Sequence, residues 1–372
     1  MPVCRHDREM TTTVQRPSAP ASLRRGLLRL AAAVTTPLLP DDYLDLVAPL
    51  RAGADLRGRI VEVRPETPDA ATLVIQPGRD WQGHRPGQYV RLGVDVNGVR
   101  QWRAYSVTSA PGDRHDPITI TVKAIPDGLV SNQLVRHAQP GTIVQLDQAQ
   151  GDFVPPATPP ARVLLVTAGS GITPVMGMLR SGALTGADVT LVHSAPTAAD
   201  VIFGAALRDL AAAGSLRLVE RHTRDVGQLS LADLAALVPD HLERETWACG
   251  PAGLLDALTA HWTAAGFGGR LHTEQFRPTI IAPGEGGTVT FGRSGVTVAA
   301  DGSTPLLEAG EAAGVLMPSG CRMGICYGCV LPLRQGAVRD LRNGSVTTAV
   351  PGDGVLVQTC VSAAAGPCDL EH

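Results

Sequence analysis

Hydrophobic and polar residues follow different patterns in successive parts of the chain. From Leu56 to Phe153, short stretches of alternating apolar and polar residues are separated by Gly, Pro and Asp. Successive side chains of a strand point to opposite faces of a sheet, so this pattern predicts an antiparallel barrel or sandwich. Before it, a polar stretch that we expect to be disordered leads into a predicted basic, apolar helix at Ser22–Val34.

A proline-rich segment from Val154 to Pro160 ends this first pattern. Prolines at this density exclude a helix or a central strand, so the segment predicts a domain boundary. From Arg162 to Phe276, apolar β runs alternate with helical stretches. This alternation predicts an α/β domain with a parallel sheet, helices on its faces and a ligand site at the carboxyl ends of its strands.

A Pro/Gly-rich connector follows, and a hairpin-like pair of strands and a short helix begin at Thr288. A chain of 372 residues is long enough for several domains, so a multidomain protein is expected. The predicted limits are an N-terminal extension at 1–54, an antiparallel β-barrel at 55–157, an α/β domain at 158–278, a linker at 279–286 and a last domain at 287–372.

Charge and hydropathy narrow the classes of function. The net charge of −3 provides no basic field, which argues against nucleic acid as a partner. No stretch approaches the roughly 18 uninterrupted apolar residues that span a bilayer, and no convincing signal peptide is present. We therefore expect a cytoplasmic protein.

Four cysteines near the end of the chain carry the most specific motif. They follow the spacing C-x4-C-x2-C with a distant fourth cysteine, which plant-type ferredoxins use to hold a 2Fe–2S cluster. The predicted metal ligands are Cys321, Cys326, Cys329 and Cys360. A structural zinc site is the alternative, but zinc sites favour two short cysteine pairs. The loop glycines that give the backbone freedom to wrap a cluster are Gly320, Gly324 and Gly328.

A strand-end motif in the first region suits a flavin. Tyr105 can lie against the isoalloxazine ring, Arg103 can pair with a diphosphate, and Ser106 can form a hydrogen bond near flavin N5. The alternative interpretation makes Tyr105 a core residue and Arg103 a solvated strand end.

A second phosphate partner is predicted further along the same region. Lys123 closes a strand, and Gly128 and Ser131 belong to a turn that opens a helix. Backbone N–H groups at such a turn can bind a phosphate. Two phosphate partners indicate FAD rather than FMN.

Glycines after the first β run of the α/β region predict a nicotinamide nucleotide site. Gly169 and Gly171 allow a diphosphate to approach the start of a helix, and Thr173 and Pro174 suit its cap and first turn.

The choice between NADH and NADPH depends on the residues near the adenosine ribose. No Asp or Glu accompanies Ser194 after the second run, whereas Arg221 and Arg224 follow the third. These features favour NADPH over NADH.

These motifs, with Pro86-Gly-Gln-Tyr89, make residues 56–276 resemble the ferredoxin–NADP reductase superfamily. The resemblance implies that the motif Cys249-Gly250-Pro251 lies against the nicotinamide ring. It also implies catalytic positions for Ser106 and Cys249 on the hydride path, and places Glu274 and Phe276 in a segment that returns to the flavin. The alternative interpretations make Cys249 a small buried residue and Phe276 an apolar anchor. The resemblance also implies Arg at the position of Pro196, so this chain departs from the superfamily pattern there.

The region from Thr288 resembles the β-grasp ferredoxin family. Because the chain ends soon after Cys360, the last strand of that fold is expected to be short.

The order of flavin, nicotinamide and ferredoxin domains resembles the reductase components of bacterial oxygenases and acyl desaturases. This implies transfer of electrons from NADPH through FAD and the 2Fe–2S cluster to a protein acceptor. The segment TTPLLPDDY resembles actinobacterial reductases that serve membrane acyl desaturases, which implies peripheral contact with the inner face of the membrane. Two alternatives are a flavoenzyme that reduces a small organic substrate directly and a nucleotide-binding protein with a structural zinc site.

Overall fold

The computed structural model describes residues 40–96, 98–126, 128–276, 283–320, 322–324 and 327–372. The chain divides into two units, Met1–Pro49 and Leu50–His372. In the first unit, helix α1 covers Pro40–Val47, and the helix predicted at Ser22–Val34 lies outside the described residues. The second unit contains three sheets, and each sheet has a hydrophobic core.

The first sheet has six antiparallel strands in the order β4-β3-β6-β1-β2-β5. An antiparallel bridge joins Val107, the residue directly after β4, to Ile120 of β5, and this contact between the two ends of the sheet closes it into the predicted barrel. A single helix, α2 (Leu129–Arg136), connects β5 to β6. The strands are β1 (Arg57–Thr67), β2 (Ala70–Pro77), β3 (Tyr89–Val96), β4 (Val99–Ser106), β5 (Ile118–Lys123) and β6 (Ile143–Leu146).

The second sheet has five strands in the order β11-β10-β7-β8-β9, and every pair is parallel, as predicted. The strands are β7 (Arg162–Ala168), β8 (Asp188–Ala195), β9 (Arg217–His222), β10 (Glu245–Cys249) and β11 (Leu271–Glu274). Its helices are α3 (Ile172–Arg180), α4 (Gly204–Ala212), α5 (Thr223–Val226), α6 (Leu231–Leu237) and α7 (Ala252–Ala264). The strand order reverses at β7, so the carboxyl ends of β7 and β10 form the switch point at which such sheets bind ligands.

The third sheet belongs to the predicted β-grasp domain. Strand β17 lies between β12, with which it is parallel, and β14, with which it is antiparallel. The elements are β12 (Gly287–Phe291), β13 (Val296–Ala300), α8 (Leu306–Ala312), β14 (Val330–Asp340), β15 (Val346–Ala349), β16 (Leu356–Gln358) and β17 (Ser362–Leu370).

The expectation of a short last strand was wrong. Strand β17 has nine residues, because it begins two residues after Cys360 and pairs with a neighbour on each side. Ala363 and Leu370 are fully buried, so the strand contributes to the core of its domain.

The barrel and the parallel sheet pack together along helix α3. A Cβ atom at Gly177 would lie only 2.5 Å from the carbonyl oxygen of Val107 in the barrel. The guanidinium of Arg180 donates a hydrogen bond of 3.0 Å to the carbonyl oxygen of Thr108. Phe153 of the barrel region joins the core beneath the parallel sheet. The limits between domains remain predictions. In the described part of the chain, no helix combines the length and the apolar character that crossing a lipid bilayer demands.

Candidate functional site

A cleft of about 810 Å³ opens at the carboxyl ends of the parallel strands. Its position at the switch point between β7 and β10 is the one expected for a nucleotide in this type of sheet. Half of the residues predicted for the nicotinamide site and the segment that returns to the flavin line it. They are Gly169, Gly171, Ser194, Gly250, Pro251 and Phe276.

Two glycines after β7 open the cleft floor to a ligand. A Cβ atom at Gly171 would lie 2.1 Å from the carbonyl oxygen of Cys249, so no other residue fits while β7 and β10 keep this spacing. Gly169 has a φ of +54°, which favours glycine. A Cβ atom at this position would face open space, with none of the described neighbours within 4 Å, so a ligand can approach the backbone there. Backbone N–H groups at such a turn can bind a diphosphate.

The cap position predicted for Thr173 was wrong. Helix α3 begins at Ile172 with Gly171 as its N-cap, because a short 3₁₀ turn at Gly169–Gly171 precedes it. The hydroxyl of Thr173 donates a hydrogen bond of 2.9 Å to the carbonyl oxygen of Ser170. Thr173 and Pro174 are buried and neither lines the cleft, so their contribution is to the shape of the turn.

Ser194 offers an unused hydroxyl to the cleft. The residue is 5% exposed, and its Oγ has no hydrogen-bond partner in the described part of the chain. An unpaired buried hydroxyl costs free energy, roughly 1–3 kcal/mol, so a ligand that bonds to it is favoured.

The two arginines predicted near the adenosine ribose differ in their surroundings. The guanidinium of Arg221 donates to the carbonyl oxygens of Val226, Gly227 and Gln228 at 2.8–3.0 Å. It also forms an ion pair of 3.0 Å with Asp233. These contacts use Nε and Nη2 and pair the charge with Asp233, so the geometry favours Arg221 less than Arg224 as a phosphate ligand.

Arg224 is exposed, and its side chain has no hydrogen bond or ion pair in the described part of the chain. Its backbone N–H donates to the carbonyl oxygen of Pro196 at 3.1 Å. This bond places the backbone of Arg224 beside Pro196, in the segment that follows β8. Pro196 is the position at which relatives were expected to carry Arg.

Cys249 and Glu274 occupy neighbouring positions at the ends of β10 and β11. Burial raises the pKa of the Glu274 carboxyl to about 8, and its Oε2 is buried without a hydrogen-bond partner in the described part of the chain. Burial, and to a smaller extent the charge of Glu274, raises the pKa of the Cys249 thiol. At neutral pH this corner of the site therefore holds a neutral thiol and a protonated carboxyl.

Glu274→Gln is expected to stabilise the protein increasingly as the pH rises from about 5 to about 9. The native pKa of about 8 exceeds the ordinary value of 4.5, so the folded protein binds more protons between these values and its free energy of unfolding falls as pH rises. Glutamine removes the titration. Thermal unfolding at several pH values measures the difference, with the exposed Glu243→Gln variant as control. A constant difference in Tm across this range would contradict the assignment.

The flavin motif lies at the end of β4. Ser106 is 3% exposed, and its Oγ has no partner in the described part of the chain. Tyr105 packs against the barrel core, and burial raises its pKa. Arg103 donates a hydrogen bond of 2.8 Å to the carbonyl oxygen of Trp102, and burial lowers its pKa to about 10, with a further contribution from the positive charge of Arg322. The unpaired Ser106 hydroxyl and the half-buried guanidinium of Arg103 fit a flavin with a phosphate group.

Lys123 pairs with Asp69 at 2.7 Å and also lines the nucleotide cleft. It therefore lies between the barrel and the parallel sheet.

The predicted phosphate turn has the expected glycine and helix. Gly128 is the N-cap of α2, and a Cβ atom there would lie 2.4 Å from the hydroxyl of Ser131. That hydroxyl donates to the carbonyl oxygen of Gly128 at 3.2 Å and accepts from the N–H of Ile125 at 3.3 Å. Ser131 thus shapes the turn, while the N–H groups of the first helical turn remain available to a phosphate.

Two of the four predicted cluster ligands, Cys321 and Cys326, lie outside the described residues. Cys329 and Cys360 are 2% and 4% exposed, so both thiols lie in the interior of the domain. Thr359, which precedes Cys360, connects the two segments, because its hydroxyl donates a hydrogen bond of 2.8 Å to the carbonyl oxygen of Cys329.

The backbone of the cysteine loop is tightly bent. Gly324 has a φ of +75°, and its carbonyl oxygen accepts hydrogen bonds of 3.0 Å from both Arg342 and Gln358. Arg322 and Tyr327 also have positive φ values, of 60° and 56°, which are costly for residues with side chains. The bent backbone at Gly324 and the buried thiols of Cys329 and Cys360 fit the wrapping of a 2Fe–2S cluster.

Sequence reasoning missed several residues that complete these sites. Gln228 and Ser230 line the cleft from the loop before α6, and Arg342 and Gln358 hold the cysteine loop. The only signal for Gln358 was its closeness to Cys360 in the chain. The others depend on how distant segments pack.

Comparisons with known proteins identify the types of domain in the chain. A model of the oxidoreductase FAD-binding domain matches residues 59–154, and a model of the 2Fe–2S iron-sulfur cluster binding domain matches residues 289–365. The chain is 52% identical over 355 residues to an NADPH oxidoreductase of Mycobacterium tuberculosis, covering 93% of this chain and 92% of that protein. It is 30% identical over 337 residues to the glycine betaine monooxygenase reductase subunit of Chromohalobacter salexigens, covering 81% and 91%.

Among solved structures, phthalate dioxygenase reductase has a TM-score of 0.59 and 21% identity, covering 85% of this chain and 97% of that chain. This likeness shows a shared fold. The combination of an antiparallel flavin-type barrel, a parallel sheet and a C-terminal ferredoxin domain is common to both.

Proposed function

The chain belongs to the family of NAD(P)H oxidoreductases that combine an FAD-binding domain with a C-terminal 2Fe–2S domain, and we propose that it passes electrons from NADPH to a protein acceptor. The proposal rests on one observation. The nucleotide cleft, the flavin motif and the cysteine loop all belong to the same compact unit, Leu50–His372. We assign the acceptor to the iron oxygenases or acyl desaturases.

The bound groups supply the redox chemistry: FAD accepts a hydride from the nicotinamide and releases single electrons, and the 2Fe–2S cluster carries one electron at a time. The protein holds and orients them. The turn at Gly169–Gly171 and the start of α3 bind the nucleotide diphosphate, and the Ser106 hydroxyl donates a hydrogen bond to the flavin. Cys249 is fully buried and does not line the cleft, so its neutral thiol lies behind the lining residues Gly250 and Pro251, which we place beside the nicotinamide.

Glu274 keeps a proton on its carboxyl at neutral pH, next to Cys249. In the cluster domain, Cys321, Cys326, Cys329 and Cys360 would hold a 2Fe–2S cluster, which would supply one-electron transfer. Phe276 lines the cleft and packs against the core beneath the parallel sheet, so it can cover the flavin ring until the nicotinamide arrives.

Arg224→Gln is expected to lower kcat/KM for NADPH by about tenfold and to leave kcat/KM for NADH almost unchanged. A charge-assisted hydrogen bond contributes about 1.5–3 kcal/mol, and the exposure of Arg224 favours the lower end of that range. NADH lacks the 2′-phosphate, so it loses nothing. The matched control is Arg217→Gln, an exposed arginine at the opposite end of β9. Equal loss with both cofactors would refute the assignment of the phosphate to Arg224.

The name of the Mycobacterium tuberculosis relative, NADPH oxidoreductase, supports the same cofactor. The lack of an acidic residue beside Ser194 supports it independently.

Two observations support the classes of acceptor. The name of the Chromohalobacter relative refers to a monooxygenase and supports an oxygenase. The resemblance of the TTPLLPDDY segment to desaturase-linked reductases supports an acyl desaturase, and with it a cytoplasmic protein in peripheral contact with the membrane.

The test mixes the protein with NADPH and either a purified iron oxygenase or membranes that contain an acyl desaturase, both from the organism that encodes the chain. Substrate turnover that requires this protein identifies the acceptor. Turnover with neither preparation, while small-molecule acceptors are reduced, would contradict the proposal.

A further inference from the structure

One side chain of the cysteine loop reaches the flavin domain. Arg322 directly follows Cys321, and its Nη2 donates a hydrogen bond of 3.0 Å to Oε1 of Gln101. Gln101 lies on β4, two residues before Arg103 of the flavin motif. This bond therefore joins the segment that holds the cluster to the strand that holds the flavin.

Arg322 is held in place from its own domain. Its Nη1 donates a hydrogen bond of 2.7 Å to Oε2 of Glu311 on α8, and its Nη2 pairs with the other oxygen of the same carboxylate. The side chains of Arg322 and Glu311 are only 15% and 24% exposed. The bidentate geometry fixes the guanidinium plane and orients its outer edge toward Gln101.

Two costs accompany this arrangement. Arg322 adopts a φ of 60°, which is unfavourable for a residue with a side chain. Its positive charge is close enough to Arg103 to lower the pKa of that residue, so two like charges are held together where the domains meet. Glu311 offsets this repulsion, since its negative charge acts on Arg103 in the opposite direction.

We propose that Arg322 is a positioning residue that clamps the cysteine loop onto strand β4 and thereby fixes the separation of the flavin from the cluster. The inference rests on the proposed function, in which electrons pass between these two groups. Electron transfer slows steeply as donor and acceptor move apart, so releasing the loop from β4 slows this step and no earlier one. Gln101 is the receiving half of the clamp, and Glu311 orients Arg322.

The experiment compares Arg322→Gln, Gln101→Ala and the double variant in the full-length protein loaded with its cofactors. Rapid mixing with NADPH follows the bleaching of the flavin by absorbance, and freeze-quenched samples follow cluster reduction by electron paramagnetic resonance. The control is Arg334→Gln, which removes the same charge from an exposed position in the same domain. Hydrogen exchange of the β4 amides reports on docking independently of turnover.

Each single variant is expected to slow cluster reduction severalfold, because the freed loop lengthens the path from flavin to cluster, while flavin reduction and the resonance spectrum of the cluster stay unchanged. The double variant is expected to be no slower than Arg322→Gln, because both changes break one interaction. Faster exchange of the β4 amides should accompany the slower step.

Wild-type rates of cluster reduction in Arg322→Gln, or fully additive effects in the double variant, would overturn the inference. If Arg322→Gln loses its cluster, Gln101→Lys tests the clamp instead. This variant leaves the cysteine loop intact and places a like charge against Arg322. An unchanged rate in Gln101→Lys would overturn the clamp, and Gln139→Lys in an exposed turn is its control. If NADPH never reduces the cluster in the wild-type protein, the proposed function fails, and the inference fails with it.

Discussion

Cys360→Ser is expected to yield a yellow protein that retains its flavin, loses its iron and acid-labile sulfide, and no longer reduces a protein acceptor. Serine cannot supply the soft thiolate that the cluster requires. The flavin motif lies in a different sheet with its own core, so this substitution leaves it intact. The expected loss of acceptor reduction is nearly complete, whereas reduction of ferricyanide by NADPH should continue at the flavin.

Cys368→Ala provides the matched control for this variant. Cys368 is also a buried cysteine of the third sheet, at 5% exposure, but it lies outside the predicted ligand set. The control should keep two irons per chain, or about that number. Retention of the cluster in Cys360→Ser, or its loss in Cys368→Ala, would contradict the assignment of ligands.

Removal of all residues after Pro278 is expected to have an equally large effect on the protein acceptor. The shortened chain should bind flavin and reduce ferricyanide with NADPH, because the barrel and the parallel sheet have their own cores. It should lose most activity toward a protein acceptor, which receives its electrons from the cluster.

Separate addition of residues 287–372 should restore only part of that activity. A covalent connection gives the cluster domain an effective concentration in the millimolar range, which a free domain at micromolar concentration does not reach. A mixture titrated with increasing amounts of the free domain measures the difference. Full activity of the shortened chain toward the protein acceptor would show that the cluster is not on the electron pathway.

Local rules explain why much of the architecture could be predicted from the sequence. Alternating residues in the first region predicted the barrel, and the βα alternation predicted the parallel sheet. Gly171 was predicted from its place after the first β run, and the structure adds the reason: the carbonyl of Cys249 occupies the space of any side chain.

The errors and omissions concern contacts that the pattern of residues does not show. Arg221 looked available for a phosphate because the sequence does not show that three carbonyl groups of the following loop accept its hydrogen bonds. The contact between Arg322 and Gln101 joins residues 221 positions apart, and no local pattern indicates it. The length of β17 was underestimated because its pairing with β12 and β14 cannot be read from its own nine residues.

An anaerobic titration with NADPH, followed in one sample by visible absorbance and electron paramagnetic resonance, tests the electron pathway most directly. The cofactors are first released and counted from the same preparation. We expect one FAD and about two irons per chain, bleaching of the flavin, and a signal from a reduced 2Fe–2S cluster that approaches one spin per chain. Zinc in place of iron, or a cluster that dithionite reduces but NADPH does not, would contradict the account.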